Sequence, residues 1–161
     1  PPAEPLTPPT PAASPQATPA PPAELAPPTP VTAEAQALYD DAYAQFHRRE
    51  YAAAEARFAQ FLTRFPTTNL ADNAQFWIGE CRYARGDLRG ALDAFLATVD
   101  RFPQGNKVPD AMLKAAKCLE ALNDTGAARD TYEEITRRFP GSAAAATARE
   151  RLAASNPAGG R

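Results

Sequence analysis

The stretch "FWIGECRYARGDLRGALDAFLATVDRFP", residues 76–103, decides the fold. Its first half places Phe76, Trp77, Ile78, Cys81 and Tyr83, with Gly79, around more than one face of a helix. A helix packed on several sides has that pattern. Gly86-Asp87 then supplies a turn. Beyond it Leu88, Ala91, Leu92 and Phe95 fall at i, i+3, i+4 and i+7, and Leu96 and Val99 extend the stripe. The run stops at Arg101-Phe102-Pro103. Proline lacks an N–H and restricts the residue before it, so it ends the second helix.

The same ending occurs at Arg64-Phe65-Pro66 and at Arg138-Phe139-Pro140, so the prolines are 37 residues apart, twice over. Other positions keep step. Eight before each proline stands Phe58, Phe95 or Tyr132; twelve before it, Ala54, Ala91 or Ala128; twenty-four before it, Ala42, Gly79 or Ala116. Small residues allow two helices to cross closely, and the aromatic fills the groove beside them. A fixed period of this length marks stacked two-helix units, none of which buries its apolar face alone.

The spacing predicts an all-α solenoid of three two-helix repeats, about 35–68, 69–105 and 106–142, closed by a capping helix over 142–155. Helices are expected near 33–48, 51–65, 70–85, 88–102, 107–122, 125–139 and 142–155. Their turns fall around Glu50, Gly86 and Asp124. Asn69 and Asn106 mark the entries of the first helices of the second and third units, and Pro109 lies in a first turn, where proline is tolerated.

The chain around this domain is of another kind. Residues 1–30 hold 13 of the 18 prolines and no aromatic, Lys or Arg residue. Such a stretch is expected to be an extended, disordered linker, reaching roughly 90 Å if stretched in the polyproline II form. Segments of that composition also bind proline-reading domains. Residues 156–161 read as a flexible tail. From residue 31 onward acidic and basic residues balance, because Glu4 and Glu24 are the only charges before it. No basic stripe calls for nucleic acid. No apolar run is long enough to span a membrane. The opening "PPAEPL", without an initiator Met, leads us to expect an address label upstream.

Side chains for catalysis do not assemble in the sequence. His47 is the one histidine, in the charged turn "FHRREY". Ser14, Ser142 and Ser155 lie in the linker or beside the last helix, and the Gly-Gly pair at 159–160 is in the tail. The domain reads as a non-enzyme without metal or cofactor. Cys81 and Cys118 are 37 residues apart and so occupy equivalent places in successive repeats. Stacked helices put such places roughly 10 Å apart, beyond the ~7 Å a disulfide tolerates. Both are expected to be buried free thiols.

The small, small, aromatic, proline ladder resembles the tetratricopeptide repeat, lengthened by three residues per unit at "TTNLA" and "QGNKV". More narrowly, "LYDDAYAQFHRREYAAAEARFAQFLTRFP", "NAQFWIGECRYARGDLRGALDAF" and "PDAMLKAAKCLEALNDTGAARDTYEEITRRFPGS" resemble the C-terminal domain of the YbgF/CpoB family of the Tol–Pal system, from about Ala33 to Ser155. That resemblance implies a periplasmic adaptor that binds TolA. It also implies a link to a class A penicillin-binding protein and its lipoprotein activator, coordinating peptidoglycan synthesis with outer-membrane constriction at division. It places a signal peptide and a trimerising coiled coil upstream. Related long-repeat proteins suggest a second reading, a scaffold in an outer-membrane assembly or secretion machine.

The family's groove positions, carried across, are Gln36, Tyr39, Tyr43, Phe46 and His47 in the first unit. In the second they are Asn73, Phe76, Glu80 and Tyr83, and in the third Asp110, Leu113, Lys117 and Glu120. Five of them are Tyr or Phe, the large rigid side chains that binding hot spots use. Their i, i+4, i+7 spacing in the first unit is also that of a core stripe. The clamp that such repeats use for C-terminal carboxylates needs Lys, Arg and Asn where this chain has aromatics and acids. A partner with apolar residues and a few basic groups fits better. Trp77 falls off these positions and is expected between helices.

Overall fold

The computed structural model describes residues 27–155. Seven helices follow one another: α1 (Ala33–His47), α2 (Tyr51–Arg64), α3 (Ala71–Ala84), α4 (Leu88–Arg101), α5 (Val108–Ala121), α6 (Thr125–Arg138) and α7 (Ala143–Ser155). Their bounds lie within two residues of those expected from the period. No strand is present among the described residues; a single isolated bridge joins Thr29 to Thr68. The linker reading of residues 1–26 and the tail reading of 156–161 lie outside the described residues.

Each helix packs on the next, and the core divides accordingly. One cluster joins α1, α2 and α3 through Ala42, Ala54, Phe58, Phe61 and Ile78. A second joins α3, α4 and α5 through Phe76, Ala91, Phe95, Ala111 and Ala115. A third joins α5, α6 and α7 through Met112, Ala116, Tyr132, Ile135 and Ala145. This is the one-dimensional core of a stacked-repeat protein. The aromatic of each repeat, Phe58, Phe95 or Tyr132, is fully or almost fully buried. Gly79 shows why small residues recur opposite it: a Cβ there would sit 2.5 Å from Phe95 Cε1.

The repeated Arg-Phe-Pro is a helix-ending device. Phe65, Phe102 and Phe139 are the C-caps of α2, α4 and α6, with φ of −133°, −130° and −131°. Each still donates its N–H to the carbonyl four residues back. The following proline holds it out of the helical region. The preceding arginine lays its guanidinium over the ring, 5.1–5.4 Å from the centroid in all three copies.

The turns inside the repeats match as closely. Arg49, Gly86 and Asn123 all have positive φ, at 65°, 80° and 64°. After each, the next N–H reaches back five residues, from Glu50 to Gln45, from Asp87 to Arg82 and from Asp124 to Leu119. This is the Schellman ending, whose left-handed residue is best as glycine. Asp87 and Asp124 then cap the next helix by accepting from the Gly90 and Ala127 N–H groups, while Glu50 makes no such bond.

Two helix entries differ from expectation. Asn69 and Asn106 are not the caps of α3 and α5; Leu70 and Lys107 hold those positions without a side-chain bond. Asp72 takes over. Its Oδ1 accepts from the Asn73 N–H at 2.8 Å, and its Oδ2 accepts from the Lys107 N–H at 3.1 Å. One buried carboxylate thereby serves two repeats. Gly105 leaves it room, since a Cβ there would lie 2.7 Å from Asp72 Oδ2.

Candidate protein-docking face

The odd-numbered helices meet along one face of the stack. Trp77 of α3 donates its Nε1–H to the Tyr39 hydroxyl of α1 at 2.9 Å. Lys114 of α5 pairs with Glu80 of α3 at 2.9 Å. Arg151 of α7 approaches Glu120 of α5 at 3.7 Å. Most of the groove residues named from sequence lie on this row, but they differ in what they offer.

In the first repeat the structure builds an aromatic platform. Tyr39 is half-buried, edge-on to Phe58 and Phe61 at 5.5 and 5.8 Å, and serves mainly as core. Burial pushes its hydroxyl up to about 12. Phe46 packs between Tyr51 and Trp77. Tyr43 stacks over Tyr39, meets Trp77 and His47 edge-on, and remains 37% exposed. His47 is exposed beside it, and Gln36 is exposed and bonded to Asp40.

In the second repeat the positions separate. Phe76 is only 6% exposed, in the cluster with Phe95, Ala111 and Ala115. Small side chains on α5 let its ring sink into the stack, so it does not project with Tyr43 and Tyr83. Tyr83 is 38% exposed, with Lys114 Nζ 5.6 Å over its ring. Glu80 is half-buried under Lys114, and Asn73 is half-buried against Asp72. In the third repeat Leu113 packs on the core, Asp110 pairs with Lys107 and Glu120 faces Arg151. Lys117 is half-buried.

Two members of the face were missed from sequence. Trp77 is half-buried and spans α1 and α3, with Tyr43, Phe46 and Phe58 all within 6.4 Å of its ring. Lys114 neutralises Glu80 and covers Tyr83, so the row is less acidic than the groove positions alone suggest. A search for opposite charges close to one repeat apart would have found the Glu80–Lys114 pair. Two pockets lie off this row: one at the inter-repeat loops and one between α2, α3 and α4. Cys81 and Cys118 are fully buried and free. Desolvation pushes their thiols up to about 12 and about 11, which favours the neutral form. Among the described residues no group of His, Cys, Asp and Glu is placed to hold a metal ion, and no helix is long and apolar enough to cross a membrane.

Profiles of the tetratricopeptide repeat match residues 39–106 and 110–142. The helical domain is a tetratricopeptide-repeat solenoid and belongs to that family. Within it the chain is similar to the cell division coordinator CpoB of Pseudomonas putida, at 35% identity over 57 residues. That alignment covers 35% of this chain and 21% of the relative, so the chain spans about a fifth of the curated protein it matches. Solved structures share the fold. A type III secretion complex from Aeromonas hydrophila superposes with a TM-score of 0.65 at 21% identity, over 78% of this chain and 83% of that one. The Yersinia enterocolitica type III secretion translocator chaperone SycD gives 0.63 at 19% identity, over 76% and 92%.

Proposed function

We propose that this domain is the protein-docking module of a cell-division adaptor in the bacterial periplasm, and that the odd-helix face receives its partner. The observation that carries the reading is the exposure of Tyr43 and Tyr83. Among the described residues three large hydrophobic side chains are left exposed, and two of them stand on this face. A structural solenoid gains little from half-exposed tyrosines, whereas hot spots are rich in them. The similarity to CpoB supports a role in division. The family resemblance makes TolA the first partner to test, with a class A penicillin-binding protein and its lipoprotein activator as further members of the assembly. In this role the adaptor coordinates peptidoglycan synthesis with outer-membrane constriction and performs no chemistry itself.

Calorimetry with purified TolA tests it. Tyr43→Ala and Tyr83→Ala should each weaken binding by at least roughly thirtyfold. Leu96→Ala, at the third exposed apolar side chain, serves as the off-face control and should bind normally. Variants that stay folded and bind as the parent does would rule this face out.

A further inference from the structure

The loop pocket lies at the opposite end of α3 from Tyr83. It has a volume of about 600 Å³, and Pro66, Thr67 and Asp72 line one side while Arg101, Phe102 and Pro103 line the other. Pro27 and Pro28 form part of its wall. The chain is pinned there by backbone: Thr29 donates its N–H to the Thr67 carbonyl at 2.8 Å, and the two threonine hydroxyls lie 3.2 Å apart. The Pro-rich segment therefore does not leave the domain freely at α1. It first crosses the loops between repeats.

We infer that this pocket is the seat of the chain's own residues 23–26, Ala-Glu-Leu-Ala, with Leu25 as anchor. Three observations select that occupant. Leu25 is the only bulky apolar side chain between Leu6 and Val31. It stands two residues from Pro27, a reach of at most about 7 Å, so it is held at the pocket mouth by the Thr29 bond at high effective concentration. Glu24 beside it is the only acidic residue between Glu4 and Glu34, and the pocket wall presents Arg101. Phe102 and the two prolines supply the apolar surface, much as aromatic and proline side chains do in grooves that take extended peptides. The consequence is directional. Asp72 and Tyr83 are eleven residues apart on α3, about 16 Å along its axis. A strap seated at the loop end directs the linker away from the exposed tyrosines and leaves that face open. This inference does not depend on the partner proposed above.

Amide NMR on the full chain tests it. Leu25→Asp should shift the amides of residues 67–72 and 101–106 and speed exchange at the Thr29 N–H about fivefold, the loss of roughly one hydrogen bond's net worth. Leu25→Met should keep the parent spectrum. Loop amides that ignore Leu25→Asp would overturn the inference. So would loop shifts that move with protein concentration, since the occupant would then be a second copy's segment.

Discussion

The first intra-repeat turn should be improvable by the residues that the second already uses. Arg49 holds φ 65° where Gly86 holds 80°, and Glu50 lacks the cap bond that Asp87 makes. The left-handed region costs a residue with a Cβ roughly 1–2 kcal/mol. Glycine removes that strain and returns about 0.4–1 kcal/mol of it through the entropy of the unfolded chain. An aspartate at the cap adds about 1 kcal/mol. The ion pair lost with Glu50, to Arg48 at 3.1 Å, is solvent-exposed on both sides and contributes little. The double variant Arg49→Gly, Glu50→Asp should therefore stabilise the domain by about 1–2 kcal/mol. Urea unfolding followed by circular dichroism would show a higher midpoint at an unchanged slope, and Tm should rise by several degrees. A midpoint that stays or falls would refute the claim that the three turns make one and the same conformational demand.

Gly79→Ala should destabilise by about 1–3 kcal/mol, because its methyl group meets the Phe95 ring and the stack must shift; thermal unfolding measures it. Asp72→Ala should cost about 1–3 kcal/mol by leaving backbone N–H groups of two repeats without their acceptor, with exchange rising first at Lys107. Stability should fall as pH rises from about 9 towards 12. Over that window the unfolded chain gives up protons from cysteine and tyrosine that the buried Cys81, Cys118, Tyr39 and Tyr132 retain, so the folded state binds more protons. Urea midpoints across that range check the sign. Trp77, the one tryptophan, packs under Tyr43; its fluorescence should change on partner binding and remain unchanged in the Tyr43→Ala variant at the same partner concentration.

The 37-residue period alone determined the fold of this protein. Helix-ending prolines, small crossing residues and a recurrent aromatic are local and periodic, so they are legible one repeat at a time. The left-handed turn residues were legible only at Gly86, because Arg49 and Asn123 reveal the same backbone only once the chain is folded. The docking face was half legible. Its helices follow from the repeat, but which side chain stays in water depends on what the neighbouring repeat places opposite it. Phe76 sinks because Ala111 and Ala115 face it, Tyr83 stays out under Lys114, and Trp77 reaches across to Tyr39. Asp72 stapling two loops, and Thr29 drawn onto Thr67, join residues 35 and 38 apart in sequence. Periodicity places equivalent residues and says nothing of how unlike residues meet between repeats. Only the packed stack decides that, since burial and hydrogen bonding belong to the neighbours a side chain has in space.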